Sequence, residues 1–226
     1  MEAIDRMTPT QQVSAMKTQA LNFNDRPSLF SLMAMEYDSN NIGLAKAKKW
    51  MAKSFDVFDE EIDSAHVAYE DLGDAIYYMQ VDKTTASKTS VKSVYRILGM
   101  DCGGVNSTAF KTIDSLIDDM SALERRWFIR FWLRTPRNGI SSGMVIKIMA
   151  AYYDKTQAEV KKHCNFNSIF NVATYYEMNE VPPTNLNHGT FVAPMLAKAI
   201  PMNKWPIDKV VDYKYDGNRY QIHKDG

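Results

Sequence analysis

The chain has 226 residues, of which 45% are hydrophobic, and its 27 basic side chains balance 27 acidic ones to a formal net charge of zero. That length accommodates one substantial domain and part of another, and that apolar share is enough to build a core. No stretch approaches twenty apolar residues and the N-terminus has no apolar signal core, so the composition argues against membrane insertion or export and for a soluble, cytoplasmic protein.

Apolar residues recur at three- and four-residue spacing through the first 180 residues, which predicts a run of helices joined by short polar breaks. Thr8-Pro9 opens a helix over 8–21, and Arg26-Pro27-Ser28 opens another over 26–37. Helices over 42–58 and 62–79 follow, then one over 89–98 after a loop rich in Lys, Thr and Ser. Gly103-Gly104 breaks the chain before a helix over 107–120. Lys46, Lys48, Lys49 and Lys53 cluster on the 42–58 helix, where short lysine runs ordinarily just solvate a face.

The neutral total conceals segregation. Nine acidic residues and no Lys or Arg lie between 54 and 82, whereas 125–153 holds five arginines and Lys147 without an acid. Helices over 123–134 and 141–153 flank Thr135-Pro136-Arg137-Asn138-Gly139, which stops one helix and starts the next. Arg126, Arg130 and Arg134 fall at i, i+4 and i+8 and form one stripe, which Arg137 continues at the turn. Leu123, Trp127 and Phe131 make a neighbouring apolar stripe for burial, so the guanidinium groups are expected to face outward. Planar, permanently charged guanidinium forks match phosphate oxygens. The free N–H groups where Ser141 and Ser142 open the next helix favour phosphate as well. The pattern points to salt-dependent contact with a nucleic-acid backbone rather than with bases. A solvated charged face is the alternative.

Short helices over 156–163 and 169–178 complete the set. Cys102 and Cys164 lie far apart and outside any C-x-x-C, as reduced thiols do. His163-Cys164 lacks further ligands at zinc spacing and suits a core or surface role better than a metal site. Tyr77-Tyr78, Tyr152-Tyr153 and Tyr175-Tyr176 read as packing, and the fourteen methionines as core filler. Asn179-Glu180-Val181-Pro182-Pro183-Thr184-Asn185 then interrupts every periodicity, which puts a domain boundary near residue 180.

Beyond it, Val211, Tyr213 and Tyr215 alternate with Asp212, Lys214 and Asp216, as in a half-buried strand. After the Asp-Gly turn signal, Tyr220 and Ile222 alternate with Arg219, Gln221 and His223. The polar face of this hairpin gathers Asp212, Lys214, Asp216 and Arg219 in the form K-x-D-G-x-R. That arrangement lets a lysine amine attack a nucleotide α-phosphate while the glycine turn returns an arginine beside it. An unperturbed lysine needs roughly 4 to 5 kcal/mol to present a neutral amine at neutral pH, which partial burial and nearby cations reduce. An ordinary hairpin with exposed charges is the competing reading.

Phe191-Val192-Ala193-Pro194-Met195-Leu196-Ala197-Lys198, followed by Val211-Asp212-Tyr213-Lys214-Tyr215-Asp216-Gly217-Asn218-Arg219, resembles the entry into the catalytic domain of ATP-dependent DNA ligases. Glu70-Asp71-Leu72-Gly73-Asp74 and the stretch 123–150 resemble the helical DNA-binding domain that precedes it in larger ligases. The resemblance implies a mainly α chain. An all-helical DNA-binding domain over 1–180 would be followed, over 181–226, by a linker and the first β-hairpin of an incomplete α+β nucleotidyltransferase domain.

It further implies Lys214 as the adenylated nucleophile and Arg219 as a nucleotide contact, with Arg219 fitting the ATP-using branch better than the NAD-using one. Asp212 stands where these ligases usually carry a glutamate that reads the adenine amino group, and it is one methylene shorter. ATP as substrate, Mg2+, and nicked double-stranded DNA follow from the same resemblance. Arg126, Arg130, Arg134, Arg137 and Lys147 become the DNA contacts of a monomer that needs no membrane and carries no metal ligands of its own. The family's later motifs are absent through Gly226, so this polypeptide alone is expected neither to charge Lys214 nor to seal nicks. The rival readings are an RNA ligase or capping-type nucleotidyltransferase, and a non-catalytic DNA-binding protein with a vestigial lysine motif. Whether a clamp or repair protein joins it is left open.

Overall fold

Short hydroxyl and carboxylate side chains open most of the helices. The computed structural model describes residues 7–185 except 39, 41, 86 and 103–107, together with 201, 222 and 224. In its first part α1 (Pro9–Ala20), α2 (Arg26–Met33), α3 (Leu44–Phe55), α4 (Asp59–Tyr69), α5 (Leu72–Met79) and α6 (Val91–Leu98) follow one another. Then come α7 (Thr108–Asp118), α8 (Ala122–Trp132), α9 (Ser142–Tyr152), α10 (Gln157–Cys164) and α11 (Ile169–Glu177). Thr8 and Gln11 close a capping box before Pro9, and Ser121 and Glu124 close another at α8. Asp25, Asp71, Ser90, Ser141, Thr156 and Ser168 each accept a backbone N–H of the first turn. Each such cap is worth about 1 kcal/mol to its helix.

Among the described residues the regular structure is helical, as the mainly α reading requires. The hairpin expected over 211–223 lies outside the described residues apart from Ile222. Two helices differ from expectation. The single helix over 62–79 is two, because Glu70 adopts a left-handed conformation with φ 53° and Asp71 caps a fresh start by accepting from the Asp74 N–H at 2.8 Å. The 26–37 helix stops at Met33, with Met35 at φ 57° just beyond it.

Two apolar clusters form the interior. The first draws on α3 to α8, centred on Met51, Ile62, Ile76, Leu98, Ile113, Ile129 and Trp132, with Trp132 edge-on to Trp50 at 4.9 Å. The second joins α1 and α2 to α9, α10 and α11 through Phe30, Met33, Val145, Ile148, Met149, Val160 and Val172. Each fully buried side chain of this kind contributes about 1.5–3 kcal/mol by leaving water. α2 belongs to both, since Leu32 enters the first cluster while Leu29, Phe30 and Met33 enter the second. The α5–α8 seam is unusually close. A Cβ on Gly73 would lie 2.6 Å from the Arg126 carbonyl oxygen and 2.8 Å from Arg130 Cγ, so only glycine permits this approach.

Candidate nucleic-acid interface

All three arginines of α8 are partnered: Arg125 is buried, its Nε donating to the Ile117 carbonyl at 3.0 Å and the Met120 carbonyl at 3.1 Å, and Arg126 and Arg130 lie on the α5 seam. Arg130 Nε donates to Asp71 Oδ1 at 3.0 Å and its Nη2 to Asp74 Oδ1 at 2.9 Å, with the Arg130 side chain only 7% exposed. Its guanidinium also lies over the Trp127 ring at 5.0 Å. Arg126 pairs with Asp74 and lies over Tyr77 at 5.2 Å. Burial raises the Asp74 carboxyl above its ordinary range, with Arg130 opposing it. Burial also lowers the Arg126 guanidinium, and the charge of Arg130 adds to that. The expected outward orientation therefore fails for Arg130 and for Arg126, whose side chain is 16% exposed. The apolar stripe is displaced as well: Phe128, Ile129 and Trp132 are buried with Phe131, while Leu123 is exposed.

The acids that neutralise these arginines come from α5, which the helix's own composition cannot reveal. Asp71 and Asp74 are the partners that sequence reasoning missed. Their i, i+3 spacing around a helix start was the available signal, because an N-cap carboxylate and its first-turn neighbour point the same way.

Arg134 turns away from this cluster, while Arg137 stays at its edge. Arg134, at φ 57°, donates to the carbonyl oxygens of Tyr37 at 2.6 Å and Asp38 at 2.8 Å and lies over the Tyr37 ring at 4.5 Å. Arg137 donates to the Glu70 carbonyl at 2.8 Å and approaches Asp71 at 3.5 Å, yet its side chain stays 55% exposed. The turn around it is built by Asn138, which is buried and accepts the Ile140 N–H at 3.1 Å, and by Gly139 at φ 66°. Ser141 then caps α9, leaving Ser142 and Gly143 exposed at its first turn, where backbone N–H groups have no intrahelical acceptor. Lys147 is exposed one turn further along α9. The α8–α9 turn thus presents one well-held cation beside a helix start, an arrangement that attracts phosphate oxygens.

The remaining sequence candidates separate cleanly. Lys214, Asp212 and Arg219 lie outside the described residues. On α3, Lys46 donates to the Cys102 carbonyl and Lys48 pairs with Asp63 at 2.6 Å, while Lys49 and Lys53 are exposed. His163 is buried with Nδ1 2.7 Å from the Tyr176 hydroxyl, a core role. Among the described residues no group of three or more His, Cys, Asp or Glu is placed to hold a metal, and no helix is long and apolar enough to cross a membrane.

Comparison with known proteins gives a consistent result. The family described as DNA ligase N terminus matches residues 4–150. A DNA ligase of Sulfolobus acidocaldarius is 22% identical over 262 aligned residues, covering 100% of this chain and 44% of the relative. A DNA ligase of Nitrosopumilus maritimus is 24% identical, covering 84% of this chain and 36% of the relative. DNA ligase 2 of Thermofilum pendens is 27% identical over 54% of this chain and 22% of its own length. The chain spans less than half the length of these relatives.

Proposed function

This chain belongs to the DNA ligase N terminus family, and from that premise we propose that it is the N-terminal portion of an ATP-dependent DNA ligase acting on nicked duplex DNA. One observation carries the reading: the family match over 4–150 and the Lys214-Tyr215-Asp216-Gly217-Asn218-Arg219 motif occur in one polypeptide. The helical unit over 1–180 holds the duplex, and the segment 181–226 begins the nucleotidyltransferase domain.

In this reading Lys214 Nζ, freed of its proton, attacks the α-phosphorus of ATP. A P–N bond forms and pyrophosphate departs. The adenylate then passes to the 5′-phosphate at the nick, and the 3′-hydroxyl displaces AMP to close the strand. Arg219 supplies positive charge to the nucleotide phosphates, and Asp212 accepts from the adenine amino group. Magnesium accompanies ATP and neutralises phosphate charge.

The DNA side of the reading rests on the α8–α9 turn. Arg137, the Ser142 and Gly143 N–H groups and Lys147 face the backbone, Arg134 flanks them, and Arg126 and Arg130 act by holding α8 against α5. Such contacts are to phosphate and so carry no sequence preference.

The test is transfer of labelled adenylate from ATP to the full-length protein that carries this sequence. Lys214→Ala is expected to abolish the covalent label and sealing from ATP, while sealing of a pre-adenylated nick persists. Label retained on the Lys214→Ala protein would overturn the proposal.

A further inference from the structure

α1, the second half of α9 and the start of α10 enclose a cleft of about 640 Å3. Three cations line it, Lys17, Lys147 and Lys155, with Ser14, Thr10 and Thr156 between them, and no described acidic residue shares the lining. The side chains of Lys17 and Lys147 are exposed and make no hydrogen bond or ion pair among the described residues. The ion pair of Lys155 with Glu159 is loose at 3.7 Å, with both side chains 39% exposed, and solvent screens it. Two helix starts meet here as well. Thr10 belongs to the first turn of α1, and Thr156 caps α10, so two positive dipole ends add to the lysine charges, against one negative end from the last turn of α9 at Ala150 and Ala151.

The cleft continues the surface described above. Gly143, Lys147 and Ala151 fall at i, i+4 and i+8 and share one stripe of α9. Eight residues at 1.5 Å each separate the two ends of that stripe by about 12 Å. Along the duplex axis one strand rises about 3.4 Å per nucleotide, so with α9 parallel to that axis the span corresponds to roughly three or four nucleotides. The α8–α9 turn and the cleft thus lie along one stripe of α9, within reach of a single strand.

Resting on the DNA-binding reading, we propose that the juxtaposition of Lys17, Lys147 and Lys155 in this cleft is a second phosphate seat, holding a backbone phosphodiester of the same duplex. It lengthens the footprint along α9 and adds affinity that is independent of sequence.

Duplex binding by the full-length protein, measured by fluorescence anisotropy across a salt series, tests this. Replacing Lys17 and Lys155 together by glutamine is expected to weaken binding about tenfold on unrelated duplexes and to lower the slope of log K against log salt by about two. Replacing both by arginine restores affinity and slope. Lys155 also lies over the Tyr176 ring at 5.8 Å, so Ala151→Glu serves as an independent probe. It introduces a repelling carboxylate while every lysine stays in place, and an equal or larger loss with an unchanged circular dichroism spectrum is expected. Affinity lost without a change of slope overturns the phosphate seat. Unchanged binding in these variants while Arg137→Ala still weakens it overturns the seat and leaves the DNA-binding reading standing. A parent protein that binds no duplex overturns both.

Discussion

Arg130 shows why a cation's place in a helix pattern does not by itself reveal its job. Its partner Asp71 is only 2% exposed, so deleting the guanidinium leaves a buried carboxylate held only by the Asp74 N–H and the more distant Arg137. Arg130→Ala is expected to lower the unfolding free energy by about 3–5 kcal/mol, the range for breaking a buried pair from one side. Arg137→Ala, at a side chain 55% exposed, is expected to lower it by less than about 1 kcal/mol. Urea unfolding of the two variants checks this, and an Arg130→Ala protein as stable as its parent removes the account of α8. The consequence for function is direct. Lost DNA binding in an Arg130 variant reports on folding, whereas lost binding in an Arg137 variant reports on contact.

Among the helices, the α10–α11 pair carries a pH dependence. Burial lowers the His163 pKa; the charge of Glu159 opposes this, and Lys162 and Lys155 add to it. Folding therefore disfavours the imidazolium. The stability linked to this group is complete above its unfolded value of about 6.5 and declines as pH falls below that value. His163→Gln keeps a side chain able to bond the Tyr176 hydroxyl but cannot titrate. It is expected to flatten the dependence of the urea midpoint on pH between about 5 and 7, and identical slopes in parent and variant would sink the idea. The helix starts at Thr8, Ser141 and Thr156 were legible at this scale because a capping hydroxyl is a local signal. The break between α4 and α5 was not, because the apolar spacing runs on across Glu70 and only the backbone conformation there divides it.

For the molecule as a whole, the two apolar clusters are joined through α2, whose Leu32 and Phe30 enter different ones. A single cooperative transition is expected. Trp50, Trp127 and Trp132 report on the first cluster, and far-ultraviolet circular dichroism reports on all helices. With Trp205→Phe as background, the two signals should share one urea midpoint, and separate midpoints would show that the clusters unfold independently. The match to the ligase family ends at residue 150, inside α9, although Val160, Val172 and Tyr176 from α10 and α11 complete the second cluster. Sequence alone determined the helical class, most helix starts and the K-x-D-G-x-R motif, since each depends on residues adjacent along the chain. Only the tertiary structure decided which charges are spent on one another. The acid-rich segment and the arginine-rich segment are separate in sequence, but the glycine at 73 lets α5 and α8 approach until Asp71 and Asp74 absorb Arg126 and Arg130. The same folding brings Lys17, Lys147 and Lys155 from three helices into one cleft, because Coulombic attraction and repulsion act through space and not along the chain.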